Sequence, residues 1–380
     1  MHCKGGPEAA VTEREAYVAF NLTDRIGSVG VDGLAERCGD VAAAWESYPE
    51  KVSRQGGEVD WKGEFAKARR YGVTIVTPVD EEYPPLLKKT RGHPLALYVK
   101  GDVKVLSKPA VAIVGTRRAT AYGLDQAARF AHDLAQNGWC IVSGLALGVD
   151  AEASRGALTA GGRTVGVLGS ALDRFYPEQN RELAREIVKK GGAVVSEFPF
   201  GRDPDQQTFP QRNHVVAALA SGVIAVEAPV KSGTLITTSI AADIGRVVMA
   251  VPGRVDSPRS AGCLALIRDG ATLVRSADDV AEALSSLLPA KELRRPRGAA
   301  GHAPAAAASS PAAPVAPVPE LSLEEAMVMR ELDTGGVTQD KLVELTGLSP
   351  QKVRSLAMTL RLKGRVRFLA GGRVALPREI

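Results

Sequence analysis

From about Val73 to Leu288 the chain alternates short apolar runs with stretches of helical period. "VAIVG" (111–115) precedes a helical pattern over 122–137, "CIVSG" (140–144) one over 150–160, and "TVGVLG" (164–169) one over 177–190. "AVVSE" (193–197) is followed by a pattern over 213–221, "VIAVEA" (223–228) by one over 237–245, and "VVMAVPG" (247–253) by a final helix. Within each run there is almost no polar alternation. Strands of that kind are buried on both faces, which is the mark of a parallel sheet flanked by helices. The expectation is an α/β protein with an extended Rossmann-like core over residues 71–288.

The two ends read differently. Residues 1–70 predict a small helical domain, with segments near 11–22, 30–36, 41–55 and 60–71; "RIGSVGVDGLAERCG" approaches a helix-hairpin-helix without its glycine spacing. Residues 321–380 predict helices over 323–333, 338–346 and 349–362 and then two short strands around "GGR", with Thr338 and Ser349 as N-caps. That is a winged-helix pattern. Between them "RRPRGAAGHAPAAAASSPAAPVAPVP" has no apolar period and reads as an Ala/Pro-rich linker over 289–320.

Composition narrows the partners only slightly. A net charge of +5 is a mild cationic bias, compatible with a polyanion. The four cysteines lie far apart with no CxxC pair, and no histidine stands at metal-ligand spacing, so neither a disulfide framework nor a metal is expected. No signal-peptide core or spanning apolar run is legible, which points to a cytoplasmic protein with no membrane partner.

In a parallel sheet the ligand crevice lies outside the carboxyl ends of the strands, so the residues following each apolar run carry the chemistry. Those positions are rich in Gly, Ser and Thr, as a phosphate cradle of backbone amides and helix N-termini requires. Arg117 and Arg118 follow the first run on a turn that usually carries small residues, and an arginine fork grips phosphate oxygens in bidentate fashion. Single arginines are mostly solvated surface charges; together with Arg202, Arg212 and Lys231 on neighbouring strand ends they predict a polyanion site. The candidate contacts are Gly115, Thr116, Arg117 and Arg118; Ser143 and Gly144; Arg202; Phe209, Arg212 and Asn213; and Lys231, Ser232, Gly233 and Thr234. Tyr176 and Phe209 sit on loops at the same edge, where an aromatic ring either packs in the core or stacks on an unpaired base.

Catalytic readings find less support. Asp150 reads as the N-cap of the helix that follows it. Ser143, Ser232 and Thr234 have no histidine in a recognisable order and no GxSxG elbow. Glu197 and Glu227 both end strands, where they are read either as a carboxylate pair or as groups each satisfied by a neighbouring arginine or backbone N–H, the second being favoured. Neither a Walker A motif nor GxGxxG is present.

The ordered set "GTRRATAYG", "SGLALGVD", "LGSALDRFYPEQN", "SEFP", "FPQRN", "SGTLITTS" and "GRVVMAVPG" strongly resembles the DprA/Smf family of DNA-processing proteins over about residues 70 to 290. The resemblance implies a non-enzymatic, cofactor-free protein with a SAM-like helical N-terminal domain, an extended Rossmann domain that binds single-stranded DNA, and a winged helix. It further implies homodimers that load the RecA recombinase onto incoming strands in natural transformation. By motif, Arg117 matches the basic residue of the family's G-S/T-R turn; Ser143, Gly144, Gly148 and Asp150 its S-G-x-A-x-G-I-D loop; Arg212 and Asn213 its R-N pair; Ser232, Gly233 and Thr234 its S-G-S/T-L turn. Three departures stand out. Ser154 replaces a usual His, Leu264 a usual Asn, and "DPDQQT" is less basic than usual, leaving Arg202 as the substitute cation there. Lys352, Arg354, Arg361, Lys363, Arg365, Arg367 and Arg373 give the winged helix a basic side that serves either duplex DNA or a protein partner. The rival reading is a phosphoribohydrolase-like nucleotide-processing enzyme, whose phosphate turn carries a glutamate that "KSGTLITTS" lacks.

Overall fold

The computed structural model describes residues 11–23, 26–54, 56–285, 323–332, 337–362, 366–369 and 373–375. The chain divides into two compact units, Met1–Gly298 and Ala299–Ile380. The proposed linker lies outside the described residues.

The first unit opens with helices α1 (Glu13–Leu22), α2 (Ser28–Cys38), α3 (Val41–Ser47) and α4 (Trp61–Tyr71), then strand β1 (Thr74–Val76), the single turn α5 (Pro85–Lys88) and β2 (Leu97–Gly101). The alternating core follows: β3 (Ala110–Gly115), α6 (Ala121–Gln136), β4 (Cys140–Ser143), α7 (Val149–Thr159), β5 (Thr164–Val167), α8 (Arg181–Lys189) and β6 (Ala193–Ser196). It continues through α9 (Thr208–Ala218), β7 (Gly222–Val226), α10 (Gly233–Asp243), β8 (Val247–Ala250), α11 (Ala261–Arg268), β9 (Thr272–Leu273) and α12 (Ala277–Leu284). All six apolar runs are therefore strands.

These strands form one nine-stranded sheet in the order β1-β2-β6-β5-β4-β3-β7-β8-β9. From β3 the chain lays β4, β5 and β6 successively to one side and then returns to place β7, β8 and β9 on the other, all in parallel register. The order reverses between β3 and β7, and a crevice opens at the carboxyl ends flanking such a reversal. Alternate residues of the buried strands serve opposite faces. Val111, Ile113, Ile141 and Ile224 pack against Phe130, Leu134 and Ala153 of α6 and α7. Ala112, Val114, Val142 and Val223 face Val216 and Ala217 of α9 and Ala241 of α10.

Several expectations change. β1 and β2 add an antiparallel flank beyond β6, which the parallel-sheet pattern did not include. The helix expected over 41–55 stops at Ser47, two residues before Pro49 restricts the backbone. The helix expected over 213–221 begins at Thr208, because Pro210 falls in the first turn, where its missing N–H has no partner to lose. The helix expected over 237–245 begins at Gly233. The N-terminal helices build their own cluster around Phe20, whose ring centroid lies 5.0 Å from that of Trp45. Val18 and Ala68 also share a cluster with Ile75, Tyr98 and Phe200, so this segment is packed onto the β1–β2 flank.

The second unit contains α13 (Leu323–Arg330), β10 (Val337–Thr338), α14 (Gln339–Thr346), α15 (Pro350–Leu362), β11 (Arg367–Leu369) and β12 (Arg373–Ala375). Thr338 caps α14 by accepting from the Lys341 N–H, as expected. The strands form a small sheet, β10-β12-β11, one strand more than the sequence pattern indicated. Val328, Leu342, Val353, Leu356 and Val374 make its core. Of the seven basic residues proposed here, Lys352 pairs with Glu324 at 2.9 Å; the side chains of the other six lie outside the described residues.

Candidate functional site

A trough of about 660 Å³ lies over the carboxyl ends of β3 and β7, at the reversal of strand order. The turn after β3 supplies Gly115, Thr116, Arg117 and Arg118, and the turn after β7 supplies Lys231, Ser232, Gly233 and Thr234. Gly144, Phe209, Arg212 and Asn213 complete the candidate residues on its wall. Arg117, Arg118 and Lys231 are exposed, and among the described residues none has an ion-pair partner. Other surface arginines are neutralised, Arg155 by Glu152 and Arg181 by Glu178, each at 2.6 Å. Three unneutralised cations thus meet where the strand-end loops converge.

Backbone geometry shapes this wall. Glu227 is held at φ 48, a left-handed conformation that a non-glycine residue adopts only when its surroundings fix it. Its carbonyl accepts the Thr116 N–H at 2.8 Å, and its carboxylate accepts the Thr120 N–H at 2.8 Å and the Thr120 hydroxyl at 2.5 Å. Glu227 therefore locks the two turns together. Leu145, at φ 49, is fixed in the same way: Asn180 of "YPEQN" donates its amide to the Leu145 and Ala146 carbonyls at 2.9 and 3.0 Å. Gly148 takes φ 76 and packs where a Cβ would overlap the Thr116 carbonyl.

Asp150 is not the N-cap of α7; that position belongs to Gly148. Its buried carboxylate accepts N–H groups from Gly115, Gly144 and Ala146 and faces the Arg212 guanidinium. Burial pushes the Asp150 carboxyl above its ordinary range, opposed by Arg212 and these three donors. Arg212, only 6% exposed, lies in the first half of α9 rather than on a loop, and donates to the Gly144 and Val167 carbonyls. It is mainly a tie between loops. Even so, its Nε and the hydroxyl of Ser232 are buried on the trough wall without a hydrogen-bond partner among the described residues. Buried polar atoms of that kind mark positions where a ligand or water completes the bonding. Ser232 also precedes α10, whose first-turn N–H groups have no partner within the helix and carry its positive dipole end.

Two candidates lie elsewhere. Ser143 is fully buried, its hydroxyl 3.1 Å from that of Ser154 and accepting from the Leu145 N–H. Ser154, at the position where the related motif has His, thus supplies a structural hydrogen bond. Arg202 pairs with Asp205 at 2.5 Å and lines a separate cleft beside Glu64 and Phe200. Of the aromatic pair, Phe209 lines the trough, with the Arg117 guanidinium 5.1 Å from its ring centroid, and Tyr176, 46% exposed, lines a small adjoining pocket with its ring centroid 6.1 Å from that of Phe209. Sequence reasoning missed Arg259, which lines the same trough from the loop after β8. The strand-end rule applied one strand further would have found it.

Glu197 and Glu227 do not pair. They end β6 and β7, four strand spacings apart, or about 19 Å at 4.8 Å per spacing. Burial, opposed by Arg54, pushes the Glu197 carboxyl from 4.5 to about 7, and its Oε1 is buried with no partner among the described residues. A raised folded-state value favours the protonated acid, so the group's contribution to stability is complete below 4.5 and lost as pH rises through 7. Glu197→Gln is expected to stabilise the protein by about 1–3 kcal/mol at pH 8 and hardly at all at pH 5. Urea unfolding at both pH values checks this, and equal effects would refute it.

Comparisons with known proteins place the chain among relatives of shared sequence and fold. The family model described as DNA recombination-mediator protein A matches residues 74–285, and the DprA winged helix domain model matches 310–372. Protein Smf of Synechocystis is 33% identical over 296 residues, 73% of this chain and 74% of the relative. The X-ray structure of DNA processing protein A from Streptococcus pneumoniae superposes with a TM-score of 0.61 at 33% identity, covering 72% of this chain and 98% of that one. DNA processing protein A from Helicobacter pylori, solved to explain its single-stranded DNA binding mode, gives 0.51 at 32% identity, covering 56% and 96%.

Proposed function

The chain belongs to the DNA recombination-mediator protein A family, and from that membership and the chemistry of its trough we propose that it binds single-stranded DNA by its phosphates. The observation carrying this reading is the set of unneutralised cations around the amino end of α10, beside two unpartnered buried polar atoms. Backbone amides and cations hold phosphates without reading sequence, and a flexible single strand can bend to follow the strand-end loops that carry them. Phe209 and Tyr176 offer ring faces to unstacked bases at one end.

The protein acts as a binder rather than an enzyme in this reading. Asp150 and Glu227, carboxylates beside the trough, are both committed to backbone donors, so neither is offered to a ligand as a free acid or base. We extend the proposal to the family's role in natural transformation: a cytoplasmic homodimer that delivers the strand to the RecA recombinase. No helix among the described residues is long and apolar enough to cross a membrane.

Electrophoretic titration with a single strand and a duplex at two salt concentrations tests the binding claim. Single-strand affinity is expected to exceed duplex affinity, with log K falling by about 0.7 per phosphate neutralised for each tenfold rise in salt. Salt-independent binding, or preference for the duplex, would overturn it. Sedimentation tests the dimer, and recombinase assembly on a coated strand tests delivery.

A further inference from the structure

The loop after β8, residues 252–260, is a strap across the turn that carries Arg117 and Arg118. It is fastened at both ends. Tyr122, in the first turn of α6, donates its hydroxyl to the Pro252 carbonyl at 2.7 Å. Arg259 donates its Nε–H to the Arg118 carbonyl at 2.9 Å. Between these points Arg254 pairs with Asp256 at 2.8 Å, so that cation is neutralised. Arg259 differs: it is exposed, lines the trough and has no carboxylate partner among the described residues.

A guanidinium presents its donors in a rigid planar fork. With Nε spent on the Arg118 carbonyl, the two terminal nitrogens remain free to donate, and no hydrogen bond among the described residues occupies them. We propose that Arg259 both fixes the β3–α6 turn and grips a phosphate of the bound strand with its terminal nitrogens. The proposal rests on the single-strand reading above. It makes the strap part of the phosphate track, beside the turn that carries Arg117 and Arg118. It also fits the choice of residue, because a lysine presents its three donors from one nitrogen and could serve both acceptors only if they lay side by side, whereas the guanidinium spaces its donors across a planar fork.

The test is equilibrium binding of a fluorescent oligothymidylate to the full chain across a salt series, for the wild type, Arg259→Ala, Arg259→Lys and Arg254→Ala. Thermal midpoints establish that each variant is folded. Arg259→Ala is expected to bind about tenfold more weakly, with a salt slope shallower by about 0.7. Arg259→Lys should keep the wild-type slope but lose affinity several-fold, and Arg254→Ala should match the wild type in both. Wild-type binding with an unchanged slope in Arg259→Ala would overturn the phosphate contact, and full rescue by lysine would overturn the clamp. A wild-type chain with no salt-dependent strand binding would overturn the parent reading and this one together.

Discussion

Arg117→Ala combined with Lys231→Ala is expected to weaken single-strand binding on the order of 100-fold, with thermal stability unchanged. Each cation is exposed and free of ion pairs among the described residues, so its removal leaves no buried group unsatisfied. A hydrogen bond to a charged group contributes about 1.5 kcal/mol at the low end, and two contribute about 3 kcal/mol, which is the expected loss. Because two phosphates would lose their counter-charge, the slope of log K against log salt should become shallower by about 1.4. The two residues come from the turns after β3 and β7, which the strand-order reversal brings together, so each single variant should show about half of each effect. Fluorescence titration across a salt series measures both quantities. An intact slope would mean that these charges do not meet the strand, and the trough would lose its assignment.

The strands were legible because each apolar run is continuous and ends in a Gly- or Ser-rich turn, a signal local to five or six residues, whereas the place where their order reverses appears only in the sheet. The antiparallel flank was not. β1 has three residues and carries no turn-bounded run of its own, and its pairing is set by contact with the N-terminal helices. Helix starts were missed where local chemistry imitates a loop: Ser232-Gly233-Thr234 opens α10, and Phe209-Pro210 lies in the first turn of α9. Within the site, Arg117 and Lys231 were readable because each stands on the turn that follows an apolar run. Arg212 was expected on a strand-end loop but lies buried in α9 facing Asp150, 62 positions earlier, a relation that local sequence does not carry. Arg202 failed for the opposite reason: its partner Asp205 lies three residues away and neutralises it.

That buried relation carries the second large effect. Asp150→Ala is expected to destabilise the first unit by about 3–5 kcal/mol, because it strands the Arg212 charge in the interior and removes the acceptor of three N–H groups. At roughly 2–4 °C per kcal/mol for a unit of this size, the thermal midpoint should fall by about 10 °C. Calorimetry measures this directly. Strand affinity should fall as well, since Gly115, Gly144 and Ala146 would lose their common anchor, yet the salt slope should stay near the wild-type value because no cation has been removed from the trough. A second substitution separates the two causes. If the stranded charge dominates, Asp150→Ala with Arg212→Met should recover much of the lost stability, because replacing both members of a buried charged pair costs less than removing one. If the double variant is as unstable as Asp150→Ala, the orphaned amides dominate, and Asp150 acts on the trough chiefly as a hydrogen-bond acceptor that holds the loops after β3 and β4 together.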